Sequence, residues 1–145
     1  MKRAIILGSL LAMAACVPVP PPPPVPPPGP VAAEPVGARV FTVYFDWNRS
    51  AVGPQAMAVL QQAAAAYRAG GAVAVHVTGH ADTSGPVRYN QRLSDRRARH
   101  VSDALVHMGV PAQTIAFGGV GENDLAVPTP DGVREPRNRR VTVVE

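Results

Sequence analysis

The chain holds one cysteine, one lysine and only 5% aromatic residues in 145 positions. A single cysteine excludes an intramolecular disulfide framework and any all-cysteine zinc site. So few aromatics, scattered singly, argue against a stacking platform for single-stranded nucleic acid. No apolar run approaches the roughly 20 residues that a membrane-spanning helix needs. The excess of positive charge is also small. Lys and Arg number 14 against 10 Asp and Glu, a net charge of +4 behind a pI near 10.0. Two of those cations, Lys2 and Arg3, stand at the extreme N-terminus; without them the balance is 12 − 10 = +2 and no lysine is left. The basic pI is arginine arithmetic and not a nucleic-acid footprint.

What is present begins with a basic start, Met1-Lys2-Arg3, followed by the apolar stretch Ala4 to Ala15. That layout is that of a secretory signal, too short to span a bilayer. The stretch ends Leu11-Ala12-Met13-Ala14-Ala15-Cys16, which is similar to a bacterial lipobox: small residues immediately before a cysteine. On that resemblance residues 1–15 are a lipoprotein signal peptide and Cys16 carries the lipid. The competing reading is ordinary cleavage after Ala14, which leaves Cys16 as a free thiol. Val17 rather than Asp follows the cysteine, which by analogy implies sorting to the outer membrane. Ten prolines then fall between Pro18 and Pro30. Such a tract makes neither helix nor sheet hydrogen bonds and adopts extended polyproline II. About twenty residues at roughly 3.1 Å each reach on the order of 60 Å. Residues 16–37 therefore read as a lipidated cysteine and a stiff tether, in preference to a ligand for readers of proline-rich motifs.

Residues 38–145 are enough for one compact core. Val40 to Phe45 reads as a strand, and Gly53-Pro54 opens a helix that runs to about Arg68 and stops at Gly70-Gly71. Ala72 to His80 reads as a second strand, with Val73, Val75 and Val77 on one face and His76, Thr78 and His80 on the other. Pro86 starts a long helix to about Met108; Thr114 to Phe117 and Arg140 to Val144 complete the strands. The order predicts an α/β fold, a two-layer βαβαββ sandwich, with the valine face under the helices and the histidine face open or partly covered.

The second helix is the most informative element. Advanced at about 100° per residue, Leu93, Val101, Ala104, Leu105 and Met108 form one apolar stripe, opposite a charged face holding Arg88, Arg92, Asp95, Arg96, Arg99 and Asp103. Arg97 and Asn90 break the pattern by standing in the middle of the stripe. A guanidinium there must be paired, because desolvating it alone costs several kcal/mol. Two readings stay open: an internal ion pair, with Asp82 as the expected partner, or a pocket wall built for a ligand carboxylate.

Four segments, Val43-Tyr44-Phe45-Asp46, Gly79-His80-Ala81-Asp82, Tyr89 to Ala98 and Asn138-Arg139-Arg140-Val141, resemble the OmpA C-terminal-like (OmpA/MotB/Pal) peptidoglycan-binding domain over about Val40 to Val144. With the lipobox and tether, the whole chain looks like a Pal-type outer-membrane lipoprotein facing the periplasm. The resemblance implies a non-catalytic peptidoglycan binder that takes the diaminopimelate side chain of the stem peptide. Asp82 and Arg97 would be its chief contacts, and Asp46, Asn90 and Leu93 would complete the wall. It implies no cofactor and no metal. The implied partners are peptidoglycan, the outer membrane through lipid on Cys16, and Tol-type periplasmic proteins; nucleic acid is not among them. The finer alternative is the Pal component of a Tol-Pal envelope complex acting in cell division. A stator of the MotB type is set aside for want of a membrane-spanning stretch. For Arg139 and Arg140 the expectation is structural pairing to acids such as Asp46 or Glu122, in preference to ligand contact.

One rival reading is enzymatic. His76, His80 and Asp82 surround the end of a strand at spacings that metal ligands could occupy, and a zinc-bound water would then make a peptidoglycan hydrolase.

Overall fold

The computed structural model describes residues 37–70 and 72–145. The expected signal peptide, Cys16 and the proline tract lie outside the described residues. The elements run β1 (Val40–Tyr44), α1 (Pro54–Arg68), β2 (Val75–Gly79), α2 (Val87–His107), β3 (Ile115–Gly119) and β4 (Arg140–Val144), with short 3-10 turns at Ala112–Thr114 and Pro136–Asn138. This is the βαβαββ order read from the sequence.

The four strands form one sheet in the order β1-β4-β2-β3. β2 and β3 are parallel, whereas β4 is antiparallel to both of its neighbours, β1 and β2. β1, β2 and β3 therefore all point the same way, the geometry that helical crossovers impose on strands they connect. Both helices pack on one face. Val43, Val75, Val77, Val141 and Val143 of the sheet meet Leu60, Ala63 and Ala64 of α1 and Ala98, Val101 and Leu105 of α2 in one buried cluster. Alanines let α1 lie close to the sheet, and the Pro at its first turn forgoes only an N–H that a helix start leaves unbonded.

α2 approaches the sheet closely because β2 and β3 both end in glycine. A Cβ on Gly79 would collide with the Ser94 carbonyl, and one on Gly119 with the Ser94 hydroxyl and the Asp95 N–H. Gln91 Nε2 then donates to the Gly119 carbonyl at 2.6 Å, and the Gly119 N–H to Asp95 Oδ1 at 2.8 Å. These ties fix the first half of α2 over the carboxyl ends of the parallel strands.

The valine face of β2 is shorter than its alternation predicts. Val73 is 93% exposed, since the strand starts only at Val75. Opposite it, His76 is exposed but His80 is buried, covered by the β3–β4 connection at Asp124.

Candidate functional site

The parallel strands deliver three connections to one edge of the sheet: 45–53 after β1, 80–86 after β2 and 120–139 after β3. Open α/β sheets bind ligands in the crevice outside such carboxyl ends. Backbone bonds stitch the connections together: Phe45 N–H to Arg139 O (2.8 Å), His80 N–H to Arg140 O (2.8 Å) and Ala81 N–H to Gly121 O (2.8 Å). Buried Asn138 pins the last of them by donating to the Val127 carbonyl and accepting from its N–H, both at 2.8 Å.

Arg97 lies beneath this edge with no exposed surface. Its Nε donates to Arg49 O (2.8 Å), Nη1 to His80 O (2.9 Å) and Nη2 to Asp46 O (3.2 Å). The guanidinium also sits 5.2 Å from the centre of the Phe45 ring, a cation–π distance. Burial pushes its pKa down to about 10, against the opposing field of Asp82, so it stays charged at neutral pH. The sequence reading placed Arg97 on the buried side of α2 and left open an ion pair, with Asp82 as the expected partner, or a pocket wall for a ligand carboxylate. The structure corrects that partner: three backbone carbonyls hold the guanidinium, and so it joins the β1–α1 connection to the end of β2.

Asp82 pairs instead with Arg139, Nη1 to Oδ2 at 3.1 Å, and both side chains are largely buried. Arg139 Nε donates to the Phe45 carbonyl at 3.0 Å, and the Ser84 hydroxyl donates to Asp82 Oδ1 at 2.6 Å. Arg140 pairs with Asp124 at 3.2 Å. Neither arginine takes Asp46 or Glu122 as its partner. Glu122 accepts from Asn90 Nδ2, which also donates to the Gly85 carbonyl at 2.9 Å.

A cleft of about 330 Å³ opens above the Asp82–Arg139 pair, lined also by Trp47, Ser84, Tyr89, Asn90 and Leu93. Of the residues expected at the site, it gathers Asp82, Asn90 and Leu93. Neither Arg97 nor Asp46 lines it. Asp46 lines a neighbouring groove with Arg49 and Arg137, and Arg139 belongs to both walls. The smaller cleft is the stronger candidate because it presents a buried acid and a buried cation side by side, which complement a zwitterion. The sequence reading preferred a structural role to ligand contact for Arg139, and it missed Trp47 as the cleft's wall. The available signal for Trp47 was its position, one residue after the Asp46 that follows β1.

The three residues of the metal reading do not converge. His76 is exposed on the outer face of the sheet, while Asp82 is held by Arg139. His80 Nδ1 lies 3.1 Å from the Asp124 carbonyl, which can only accept, so Nδ1 carries the proton. Burial, with Arg140 nearby, lowers the pKa of His80, so its ring is neutral and structural at pH 7. Among the described residues no group of three His, Cys, Asp or Glu side chains is placed to hold a metal ion.

The OmpA family model matches residues 44–139. An outer membrane protein of Gluconacetobacter diazotrophicus is 39% identical over 116 residues, covering 76% of this chain and 31% of that protein. The chain thus spans less than a third of the length of that relative. Among solved structures, the peptidoglycan-associated lipoprotein from Burkholderia pseudomallei superposes with a TM-score of 0.66 at 29% identity, covering 72% of this chain and 88% of that one. The cell wall anchor of the T6SS from Pseudomonas aeruginosa gives 0.61 at 27% identity, covering 74% and 80%.

Proposed function

The chain belongs to the OmpA family, and from that premise we propose that its folded domain binds peptidoglycan without catalysis, through the diaminopimelate of the stem peptide, and so tethers the outer membrane to the cell wall. The observation that carries this reading is the Asp82–Arg139 pair lining the cleft. The free end of diaminopimelate bears an ammonium and a carboxylate. Inserted into the pair, its ammonium meets Asp82 and its carboxylate meets Arg139, so one internal ion pair is exchanged for two charge-assisted contacts. Arg97, fully buried, adds positive potential near the cleft and holds the connections that carry it. Asn90 and Leu93 form the wall, and Asp46 contributes from the adjoining groove. Two similar structures, a peptidoglycan-associated lipoprotein and a cell wall anchor, support the same partner here.

A lysine-type stem peptide lacks the carboxylate and leaves the arginine unpaired, a penalty that selects against it. In cosedimentation, sacculi of the diaminopimelate type should retain the full chain and lysine-type sacculi should not. Equal retention by both would contradict the assignment of the cleft.

Lipidation of Cys16 and an outer-membrane location with the domain in the periplasm belong to the same proposal, supported by the small residues before Cys16. A fatty-acid probe should tag the protein in cells, and Cys16→Ser should abolish the tag. A wild-type chain that stays untagged would overturn this part. Coverage of 88% of the Burkholderia lipoprotein favours, as a finer reading, a Pal component working with Tol-type partners.

A further inference from the structure

Arg134 stacks over the ring of Trp47, its guanidinium carbon 3.7 Å from the ring centroid. Trp47 lines the cleft, so this exposed cation rests against a residue of the cleft wall. Among the described residues no acid pairs with Arg134, whereas Arg137, Arg139 and Arg140 each have an acidic partner. An arginine laid flat on an aromatic ring keeps its N–H edge free, and that edge fits a carboxylate through two parallel hydrogen bonds.

Both halves of the stack are fixed. The Trp47 indole N–H donates to the Ser84 hydroxyl at 3.2 Å, which donates in turn to Asp82 at 2.6 Å. Asn48, next in the chain, takes the left-handed conformation at φ 54° and accepts a hydrogen bond from the Tyr89 hydroxyl. On the other side, the Gly132 N–H donates to the Thr83 carbonyl at 2.7 Å, and the Thr83 hydroxyl to the Pro130 carbonyl at 2.7 Å. The connection carrying Arg134 is thereby tied to the one carrying Asp82. A side chain held this way loses less freedom on binding than a free arginine does.

We propose that Arg134, seated on Trp47, is a second anion subsite that takes the main-chain carboxylate of a peptide whose diaminopimelate side chain fills the cleft. This rests on the proposed function of the cleft and adds to it a preference for the chemical state of the peptide's end. A peptide ending at diaminopimelate with a free carboxylate engages both subsites; one amidated or extended at that carboxylate engages only the cleft.

The test uses the full chain, in detergent, and a synthetic tripeptide ending in diaminopimelate, as the main-chain acid and as the amide. Trp47 is the chain's one tryptophan, so its fluorescence follows binding directly. The wild-type chain should bind the acid about tenfold more tightly than the amide, the scale of one charge-assisted contact. Arg134→Gln should bind both forms at the amide's level, and Arg134→Lys should restore part of the difference. Equal binding of acid and amide by wild type, or discrimination that survives in Arg134→Gln, would overturn the subsite while leaving the cleft intact. Failure of the wild-type chain to bind either peptide would instead overturn the reading of the cleft, and the subsite with it.

Discussion

Replacing Arg97 by Met should destabilise the domain by roughly 3–5 kcal/mol, because three carbonyls lose a buried donor and each such loss costs about 1–3 kcal/mol. Those carbonyls, Asp46, Arg49 and His80, belong to the two connections that wall the cleft. The loss therefore falls on the site and on the fold together. Arg97→Lys keeps the charge but replaces a planar fork with a point donor that cannot span three acceptors. It should retain part of the stability and still widen the cleft. Arg96→Ala, one residue away on the exposed side of α2, should change neither. Denaturant midpoints read the comparison. Arg97→Met as stable as wild type would show that the carbonyls find other donors.

Asp82→Asn should weaken binding to diaminopimelate-type sacculi on the order of tenfold or more. The substitution keeps the shape and an acceptor for Ser84, but it removes the charge that would meet the ligand's ammonium. It also leaves Arg139, 12% exposed, without its anion, so a moderate loss of stability accompanies it. Asp46→Asn serves as the contrast. Asp46 is exposed and lines the adjoining groove, so its effect should be the smaller. A cosedimentation series over both variants, each checked for folding, separates the two positions. Asp82→Asn binding as wild type would remove the acid from the account.

Much of this was legible in the sequence where the signal is local. The helical period placed Arg97 and Asn90 on the buried stripe of α2, and both are buried. Strand composition and the Gly and Pro breaks gave the element order. What was not legible depends on distant partners. Backbone carbonyls leave no trace in the sequence, so the acceptors of Arg97 could not be read, and an acid was supplied in their place. Asp82 and Arg139 are 57 residues apart. They meet because β4 inserts between β1 and β2, a strand order that alternation does not encode. Alternation also misled at Val73, where the pattern continues beyond the strand's hydrogen-bonded start. A lone aromatic has no period at all, so Trp47 became visible as a wall only through its ring, its indole N–H and the arginine above it.

The central claim is that the cleft above Asp82 and Arg139 recognises the zwitterionic end of diaminopimelate. Competition tests it most directly: the full chain is bound to diaminopimelate-type sacculi and challenged with free diaminopimelate or with lysine blocked as its Nα-acetyl amide, whose only free end is the side-chain ammonium, at matched ionic strength. Diaminopimelate should release the protein at concentrations where the blocked lysine does not, and Asp82→Asn should abolish that selectivity. Release by both compounds alike, or by neither, would contradict the account.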